Sequence, residues 1–359
     1  MGNTLLKDLD IGLRINLDSS RFDGIYREDR SESYQYESQL RRARLSFKLP
    51  IGKYWSSKVQ FAIKEGEDNY EAKDLYINYK GFDIADIKIG KSKEPFGLEN
   101  ITSSGNVIFN ERSLSTFGLG RSKGINISDA NRKNSWSIGA YKVEKNSKVK
   151  SDGDKAFTAR ITLSPVNERN KYNHIGLAYT NRDLVGSEYE IKTNGGLDSA
   201  FNFLDTRNIP TNTIVKKAAE AAWGRGAISI QGEYQHLQIN AVDSTKSASY
   251  QGFYKQLSYF LTNDHRPYKK GKFSSVKPNS TMGAWELTLR KSTLQSIHIG
   301  SSNKNSSIDI DTTVFGINYY LNKKVKFMLN AINTHTAGLT NYNIRPDGEA
   351  LSLRLQVKL

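Results

Sequence analysis

Residues 351–359, LSLRLQVKL, show most clearly the pattern that decides the fold of this chain. Leucine or valine occupies every odd-numbered position from 351 to 359, and Ser352, Arg354, Gln356 and Lys358 fall between them. Because successive side chains of a β-strand point to opposite faces, this alternation predicts a strand with one apolar and one polar face. One such strand fits a soluble sandwich as well as a membrane barrel, so its recurrence along the chain is the deciding observation.

The same period of two recurs from end to end. Strands are predicted near 11–17, 42–49, 58–64, 74–80, 87–89, 125–127, 135–143, 157–163, 175–179, 213–223, 227–239, 250–262, 283–292, 311–322, 324–335 and 351–359, with weaker runs at 184–192 and 295–301. Single-chain outer-membrane barrels have even strand numbers, and about 16–18 strands leave an aqueous channel. The pattern therefore predicts an all-β transmembrane antiparallel barrel of about 16 strands.

The remaining features of composition fit that class. The chain has 359 residues, a formal net charge of +15 and no cysteine, which favours an anionic partner and excludes disulfides and thiolate metal sites. Its mean hydropathy is −0.59, but a barrel hides its membrane signal in alternation. Because MGNTLLKDLD has no apolar stretch, we expect Met1 to begin a mature form whose export signal has been removed. We expect one domain over residues 1–359, located in the bacterial outer membrane.

The connections and aromatic residues also follow the barrel pattern. Residues 164–173 and 320–325 form short polar connections, whereas 245–249, 303–307 and 262–282 are interpreted as longer loops at the opposite end. Aromatic residues near predicted strand ends suit the interfacial girdles of a barrel; they are Tyr54, Trp55, Tyr79, Trp136, Trp223 and Trp285. KKAAEAAW, residues 216–223, fits either a helix or an alternating strand.

The segment from Gly90 to Lys123 is far too long for a hairpin turn. Its many apolar residues indicate an ordered, packed loop; they include Phe96, Leu98, Ile101, Val107, Ile108, Phe109, Leu114, Phe117 and Leu119. Its charges are Lys91, Lys93, Arg112, Arg121 and Lys123 against Glu94, Glu99 and Glu111. We interpret the segment as a loop folded inside the barrel that brings cations to its narrowest point.

If the apolar face meets lipid, the polar face lines the lumen, because Arg or Lys facing lipid at the midplane costs about 2–4 kcal/mol. The predicted lumen cations are Arg14, Arg42, Arg44, Lys48, Lys58, Lys64, Lys80, Arg160, Arg290 and Arg354. Such a set is typical of an anion-selective pore. Asp74, Glu233 and Glu286 share the polar phase and are expected to orient nearby arginines. Replacing Arg112 by Ala is expected to lower anion affinity without unfolding the barrel.

Other chemistry is sparse. The five histidines, at 174, 236, 265, 298 and 335, lack paired ligand spacing, so we expect no metal and no cofactor. The GLGRSKG run has no Ser or Thr after its lysine and no helix signal, so it is not a phosphate-binding loop of the nucleotide type. No serine lies in a nucleophile elbow, and we do not expect an enzyme.

Several segments together resemble the phosphate-selective porin O and P family. They are LRRARLSFKLP at 40–50, KDLYINYKGF at 73–82, IGKSKEPFGLENITSS at 89–104, FNERSL at 109–114, IQGEYQ at 230–235, GFYKQLSYFLTNDHRPY at 252–268, GAWELTLRKS at 283–292, INYYLN at 317–322 and the closing LRLQVKL. Their order matches the family and they span most of the chain.

The resemblance implies a homotrimeric 16-stranded outer-membrane barrel whose third loop folds into the lumen, with small anions such as phosphate as the solutes. By matching motif it implies anion-binding or constriction roles for Arg41, Arg42, Arg44, Asp74, Lys93 and Arg112, to which charge and position add Arg121 and Lys123. One departure is the final residue, Leu359, where family barrels usually end in Phe.

Several alternatives remain open from the sequence. The favoured anion can be phosphate, polyphosphate, another oxyanion, an organic acid or chloride. A general porin without anion preference, an occluded structural or adhesive barrel, and a soluble basic β protein that binds nucleic acid are further readings. We favour the anion porin and expect no nucleic-acid partner, because the aromatic residues lie near strand ends rather than among cations on one surface.

Overall fold

A computed structural model describes residues 8–63, 70–114, 116–143, 154–206, 209–301, 309–337 and 346–359. Within these residues, sixteen strands form one closed barrel in which each strand pairs antiparallel with its neighbours in sequence. The last strand pairs with the first, from Arg14 opposite Lys358 to Phe22 opposite Ala350, and this closes the barrel. The predicted fold and strand number are confirmed.

The barrel strands are numbered here in chain order. They are β1 Asp10–Phe22, β2 Gln35–Ile51, β3 Trp55–Ile63, β4 Tyr70–Tyr79, β5 Asp86–Lys93, β6 Arg121–Ala130, β7 Asn134–Lys142, β8 Lys155–Leu163, β9 Lys171–Tyr189, β10 Ile209–Arg225, β11 Ile228–Ala241, β12 Ala248–Phe260, β13 Ala284–Ile299, β14 Asp309–Tyr320, β15 Val325–Ala337 and β16 Asp347–Lys358. The helical elements are α1 Leu98–Ile101 and the 3-10 turns Gly24–Tyr26 and Ser244–Lys246. Two short hairpins pair Lys192–Thr193 with Leu204–Asp205 and Tyr268–Lys269 with Lys272–Phe273.

The barrel is apolar outside and polar inside, as the alternation predicts. On β16, Leu351 and Leu353 are 39% and 49% exposed, whereas Ser352 and Arg354 are 2% and 1% exposed. The KKAAEAAW run is part of β10 and not a helix. Tertiary pairing with both neighbouring strands therefore overrides the helix propensity of its alanines.

Connections at the two ends of the barrel differ in length. Turns that follow even-numbered strands, such as residues 52–54 and 226–227, lie at one end, called here the short-turn end. Connections that follow odd-numbered strands lie at the long-loop end. The prediction that 262–282 belongs with the long loops was wrong, because β12 and β13 meet at the short-turn end. Residues 261–283, called here the inner turn segment, fold back into the barrel. Residues 303–307 lie outside the described residues.

Aromatic side chains surround the short-turn end on the outer face, as predicted. The Trp55 ring lies 4.6 Å from the Tyr79 ring, and the Trp285 ring lies 4.6 Å from the Tyr319 ring. Amphipathic rings of this kind occupy the membrane interface of barrels. No helix in the described part of the chain has the length and apolar character needed to cross a membrane.

Gly90 gives a direct test of the strand pairing beside the long loop. Its φ of 124° is in the region that favours glycine, and a Cβ there would lie 2.3 Å from the carbonyl oxygen of Leu75 on β4. We expect Gly90→Ala to cost about 1–3 kcal/mol of unfolding free energy, measured by guanidinium titration of the folded barrel. Gly120→Ala is the matched control, since a Cβ there meets no atom within 4 Å. Equal denaturation midpoints for the two variants would contradict the assigned backbone.

Candidate functional site

The predicted inner loop lies inside the barrel. Its unpaired part is shorter than predicted: β5 extends to Lys93 and β6 begins at Arg121, so residues 94–120 form what is called here the constriction loop. Phe96, Leu98 and Phe109 in this loop are at most 1% exposed. The packed-loop prediction is confirmed by this burial.

The middle of the constriction loop is attached to the wall formed by β14–β16. Lys326 Nζ donates to the carbonyl oxygen of Val107 at 2.9 Å, and Asn318 Nδ2 donates to that of Ile108 at 2.9 Å. These wall side chains satisfy loop backbone groups that have no strand partner. The loop therefore crosses the lumen and leaves its open space against β1–β7.

Each of the three glutamates of the loop pairs with an arginine from the barrel wall. These carboxylates are buried or nearly so, and hydrogen-bonded charge pairs of this kind are the strong ones. The pairs are Glu94 with Arg182 at 2.9 Å, Glu99 with Arg290 at 3.3 Å and Glu111 with Arg354 at 2.7 Å. The three pairs fix the loop at its first residue, in α1 and beyond its middle.

Glu111 is the centre of a larger charge cluster. Arg41 Nε donates to it at 2.9 Å, Arg42 lies 4.0 Å away, and a second nitrogen of Arg41 contacts Asp198 at 2.9 Å. Burial raises the pKa of the Glu111 carboxyl, but the guanidinium groups of Arg354, Arg41 and Arg42 outweigh this effect and hold the pKa below its usual range. Glu111 is therefore ionised throughout the physiological pH range.

Strict alternation would place Arg41 and Arg42 on opposite faces of β2. A bulge changes this: Asn16 pairs with Arg42, but Asp18 pairs with Gln39, so β2 has one extra residue between these positions. Such an extra residue redirects neighbouring side chains. Both arginines consequently reach Glu111, and their expected part in anion binding stays a prediction.

A cavity of about 390 Å³ lies between the constriction loop and the β1–β8 wall. Its charged lining consists of Arg14, Arg44, Lys58, Asp74, Lys88, Lys93, Arg112, Arg121, Arg160, Lys270 and Lys272. Among the described residues that line it, ten are Lys or Arg and one is a carboxylate.

Arg14 and Arg44 are direct cross-strand neighbours on β1 and β2. Arg14 donates from its two terminal nitrogens to Ser104 Oγ at 2.9 Å and Ser103 Oγ at 3.1 Å. The Nε atoms of both arginines are buried and have no hydrogen-bond partner among the described residues. Two guanidinium groups are thus held side by side with donor capacity left over, an arrangement suited to an oxyanion.

Lys93 and Arg112 line the cavity but also serve the loop. Lys93 Nζ donates to the carbonyl oxygen of Asn100 at 2.5 Å. Arg112 donates to the carbonyl oxygens of Glu99 at 2.9 Å and Thr102 at 2.8 Å. Both cations therefore satisfy carbonyls around α1, and removing Arg112 changes the loop as well as the cavity charge.

Asp74 is the carboxylate of the cavity lining, and two cations share it. Arg121 Nε donates to one oxygen at 2.5 Å, and Lys58 Nζ donates to the other. The expected role of Asp74 in orienting cations agrees with these contacts. Glu233 and Glu286 were expected to orient arginines, but they have other partners. Glu233 accepts a hydrogen bond from the backbone N–H of Glu99, and Glu286 accepts one from the side chain of Asn318.

Several predicted site and lumen cations lie elsewhere. Lys123 points outward, because it shares the outer phase of Ile125 and Ile127. Arg290 and Arg354 bind the constriction loop and do not line the cavity. Lys48 and Lys80 are more than half exposed near the short-turn end, paired with Asp10 and Asp86. Arg160 does line the cavity, but its guanidinium group is already paired with Glu220 at 2.6 Å. Lys64 lies outside the described residues.

Three lining cations were not predicted. Lys88 falls between Ile87 and Ile89, so the alternation itself could have identified it. Lys270 and Lys272 belong to the inner turn segment, which has no strand phase to read. Their position depends on tertiary contacts such as the bond from Arg160 Nη2 to the carbonyl oxygen of Gly271 at 2.9 Å.

The closed barrel with an apolar outer face, an inward loop and a charged lumen defines a channel-forming protein of the bacterial outer membrane, a porin. Solved structures share this fold. The outer-membrane channel DcaP of Acinetobacter baumannii aligns with a TM-score of 0.65 and 11% identity, covering 98% of this chain and 97% of that one. An anion-selective porin from Comamonas acidovorans aligns with a TM-score of 0.62 and 11% identity, covering 98% and 99%.

The sequence comparisons give the family. The profile of the phosphate-selective porin O and P family matches residues 9–359, and the chain belongs to this family. Porin O of Pseudomonas aeruginosa is 29% identical over an alignment covering 96% of this chain and 87% of that protein. The resemblance drawn from the sequence is confirmed, and the soluble nucleic-acid-binding alternative is discarded.

Replacing one wall arginine tests the attachment of the loop. Arg354→Met leaves buried Asp18 without its bidentate partner and removes one of the arginines that contact Glu111, and we expect a loss of about 3–5 kcal/mol in unfolding free energy. Lys48→Met removes an exposed pair and is expected to change it by less than about 1 kcal/mol. Guanidinium unfolding of both variants measures the difference. Similar losses would contradict a structural role for Arg354.

Proposed function

We propose that this protein is an anion-selective porin through which phosphate or a related oxyanion diffuses passively. The observation that carries the proposal is the cavity lining: among the described residues, ten cations face a single carboxylate that two of them already share. A cation entering this space meets an excess of like charge, whereas an anion meets donors on several sides. The proposal adds selectivity and solute class to the family membership.

The proposed binding step uses Arg14 and Arg44. Their adjacent guanidinium groups can donate to different oxygens of one oxyanion and replace part of its hydration shell. Arg41 and Arg42 lie nearer the long-loop end on β2, and Lys58, Lys88 and Lys272 form the charged lining beyond the arginine pair. Several cations in series allow an anion to move between sites of moderate strength instead of being trapped at one.

Asp74 supports release in this scheme. By binding Lys58 and Arg121 it neutralises part of their charge and limits how strongly they hold a passing anion. Arg112 and Lys93 act mainly by keeping α1 in place beside the cavity, and Lys123 has no part in the lumen. We further propose that residues 1–359 form a single barrel domain that assembles as a homotrimer, for which family membership is the support.

The arginine pair is tested in a planar lipid bilayer. We expect Arg14→Gln and Arg44→Gln each to weaken phosphate block of the chloride current about tenfold and to lower anion preference in the zero-current potential under a KCl gradient. Lys80→Gln, at an exposed position outside the cavity, is expected to behave as the unmodified protein. Anion selectivity without phosphate block in the unmodified protein would replace phosphate by chloride or an organic acid as the solute. Unchanged selectivity and block in both arginine variants would remove the pair from the site.

The role of Asp74 is tested by the opposite change. Asp74→Asn removes the carboxylate charge while keeping its shape, so Lys58 and Arg121 present their full charge to the lumen. We expect a larger anion preference and about tenfold tighter phosphate block, with a longer dwell time in single-channel recordings. Asp86→Asn, which frees the exposed Lys80, is the control. A weaker block in Asp74→Asn would show that Asp74 positions the cations instead of moderating them.

A further inference from the structure

A hairpin at the long-loop end of the barrel is packed against the entrance of the lumen. Residues 191–206, called here the entrance hairpin, lie between β9 and β10. Leu197, Phe203 and Leu204 are at most 4% exposed and belong to the same buried apolar cluster as Tyr26 in the 3-10 turn after β1. The Tyr26 ring meets the Phe203 ring edge-on at 6.0 Å. Apolar packing therefore holds the body of the hairpin in place.

One carboxylate of the entrance hairpin reaches an arginine of β2. Asp198 lies in a turn in which the backbone N–H of Ala200 donates to the carbonyl oxygen of Leu197 at 3.0 Å. Its Oδ1 lies 2.9 Å from Arg41 Nη2, and the same nitrogen donates to Glu111 Oε2 at 3.1 Å. Asp198 and Glu111 therefore share one guanidinium group.

The charges around this contact balance only when Asp198 is counted. Among the described residues, the ion pairs that meet here connect three arginines with three carboxylates: Arg41, Arg42, Arg354, Asp18, Glu111 and Asp198. Without Asp198 this group would carry one excess positive charge. An anion in the place of Asp198 would offset that charge.

Asp198 is the carboxylate of the group that is most easily replaced. Its side chain is 34% exposed, against 17% for Glu111 and 6% for Asp18. Partial burial raises the pKa of the Asp198 carboxyl above its usual range, and this effect exceeds the opposite effect of the neighbouring arginines. The pKa of Glu111 is instead lowered. The ionised form of Asp198 is therefore held less firmly, and its partly exposed side chain can change rotamer without movement of the hairpin.

The pair of Asp198 and Arg41 lies ahead of the cavity for a solute that enters from the long-loop end. β2 begins at that end, and Arg42 precedes the cavity residue Arg44 by two positions, or about 7 Å along the strand. The long loops of outer-membrane barrels are the extracellular ones. An anion from outside therefore meets Arg41 before it meets Arg44 and its neighbour Arg14.

We propose that Asp198 is an internal counter-ion of the channel entrance, which an incoming anion displaces from Arg41. In the empty channel the carboxylate neutralises Arg41. When an anion arrives, the Asp198 side chain rotates away, and the anion contacts Arg41 before it moves to Arg14 and Arg44. The competing carboxylate keeps this first contact weak, so that the anion can leave it again. The inference rests on the proposed anion permeation and adds a residue that controls the rate of entry.

Asp198→Asn tests this role, because it removes the charge of the side chain and keeps its shape. Phosphate is added to one side and then to the other side of single channels in a planar lipid bilayer. We expect the rate of phosphate block from one side to rise about threefold and the rate from the opposite side to stay unchanged, since a charge at a rim acts mainly on association. Asp198→Glu keeps the carboxylate and is expected to retain the original rates.

Asp243→Asn is the matched control. Asp243 is exposed at the same end of the barrel, beside the turn Ser244–Lys246, and its side chain accepts a hydrogen bond from the backbone N–H of Thr245. The variant changes the net charge by the same amount, and we expect it to leave both rates unchanged. An equal rise in Asp243→Asn and Asp198→Asn would show a general effect of surface charge and would overturn the inference. A fall in the rate for Asp198→Asn, or the same rise in Asp198→Glu, would also overturn it.

The same recordings separate this inference from the proposed function. If phosphate blocks the unmodified protein and Asp198→Asn has the same rates from both sides, the role of Asp198 is refuted and the proposed function stands. If phosphate does not block the unmodified protein, phosphate is removed as the solute, and the chloride current in dilute KCl decides the role of Asp198. A larger chloride current in one direction in Asp198→Asn would then support the displacement, and unchanged currents in both directions would refute it.

Discussion

The open channel depends on three ion pairs between the constriction loop and the barrel wall. Glu94, Glu99 and Glu111 each meet an arginine, and these pairs add fixed directions to the hydrophobic packing of the loop. Two charges removed from water are favourable together only when their geometry and remaining hydrogen bonds are good. Both conditions are met here. Besides the arginines, Ser122 and Thr158 of the barrel strands donate to Glu94, and the backbone N–H of Ser113 donates to Glu99.

These pairs divide the interior cations into two groups. Arginines facing the loop, such as Arg290 and Arg354, are neutralised by it and act in folding. Arginines on the opposite wall, such as Arg14 and Arg44, face the remaining cavity. The asymmetry follows from where the loop lies: it covers the β13–β16 wall and leaves the wall near β1–β7 open. A mostly cationic cavity lining therefore arises without the whole lumen having to be positive.

The sequence predicted the barrel because an inside-out alternation, as in Leu351 to Leu359, is a local property of each strand. It also placed Arg44 and Lys58 correctly, since both lie in regular strands. It could not separate Arg354 from Arg44, because both occupy inward positions and only the loop distinguishes them. The prediction that Lys123 faces the lumen was wrong for another reason. It rested on the charge of Lys123 and its position beside the loop, whereas its place in the strand alternation, which it shares with Ile125, puts it on the outer face. The position of Lys272 could not be predicted, because the inner turn segment that carries it has no strand alternation from which its path could be read.

The inner turn segment meets the constriction loop from the other end of the barrel. Ser275 Oγ donates to Asn106 Oδ1 at 2.8 Å, and Lys358 Nζ donates to Ser275 at 2.7 Å, so the C-terminal strand joins the same contact. The two insertions brace one another and the wall behind them. A passage bounded in this way cannot widen around a bulky solute without breaking hydrogen bonds in both insertions. The largest solute that can pass is therefore set once the barrel has closed.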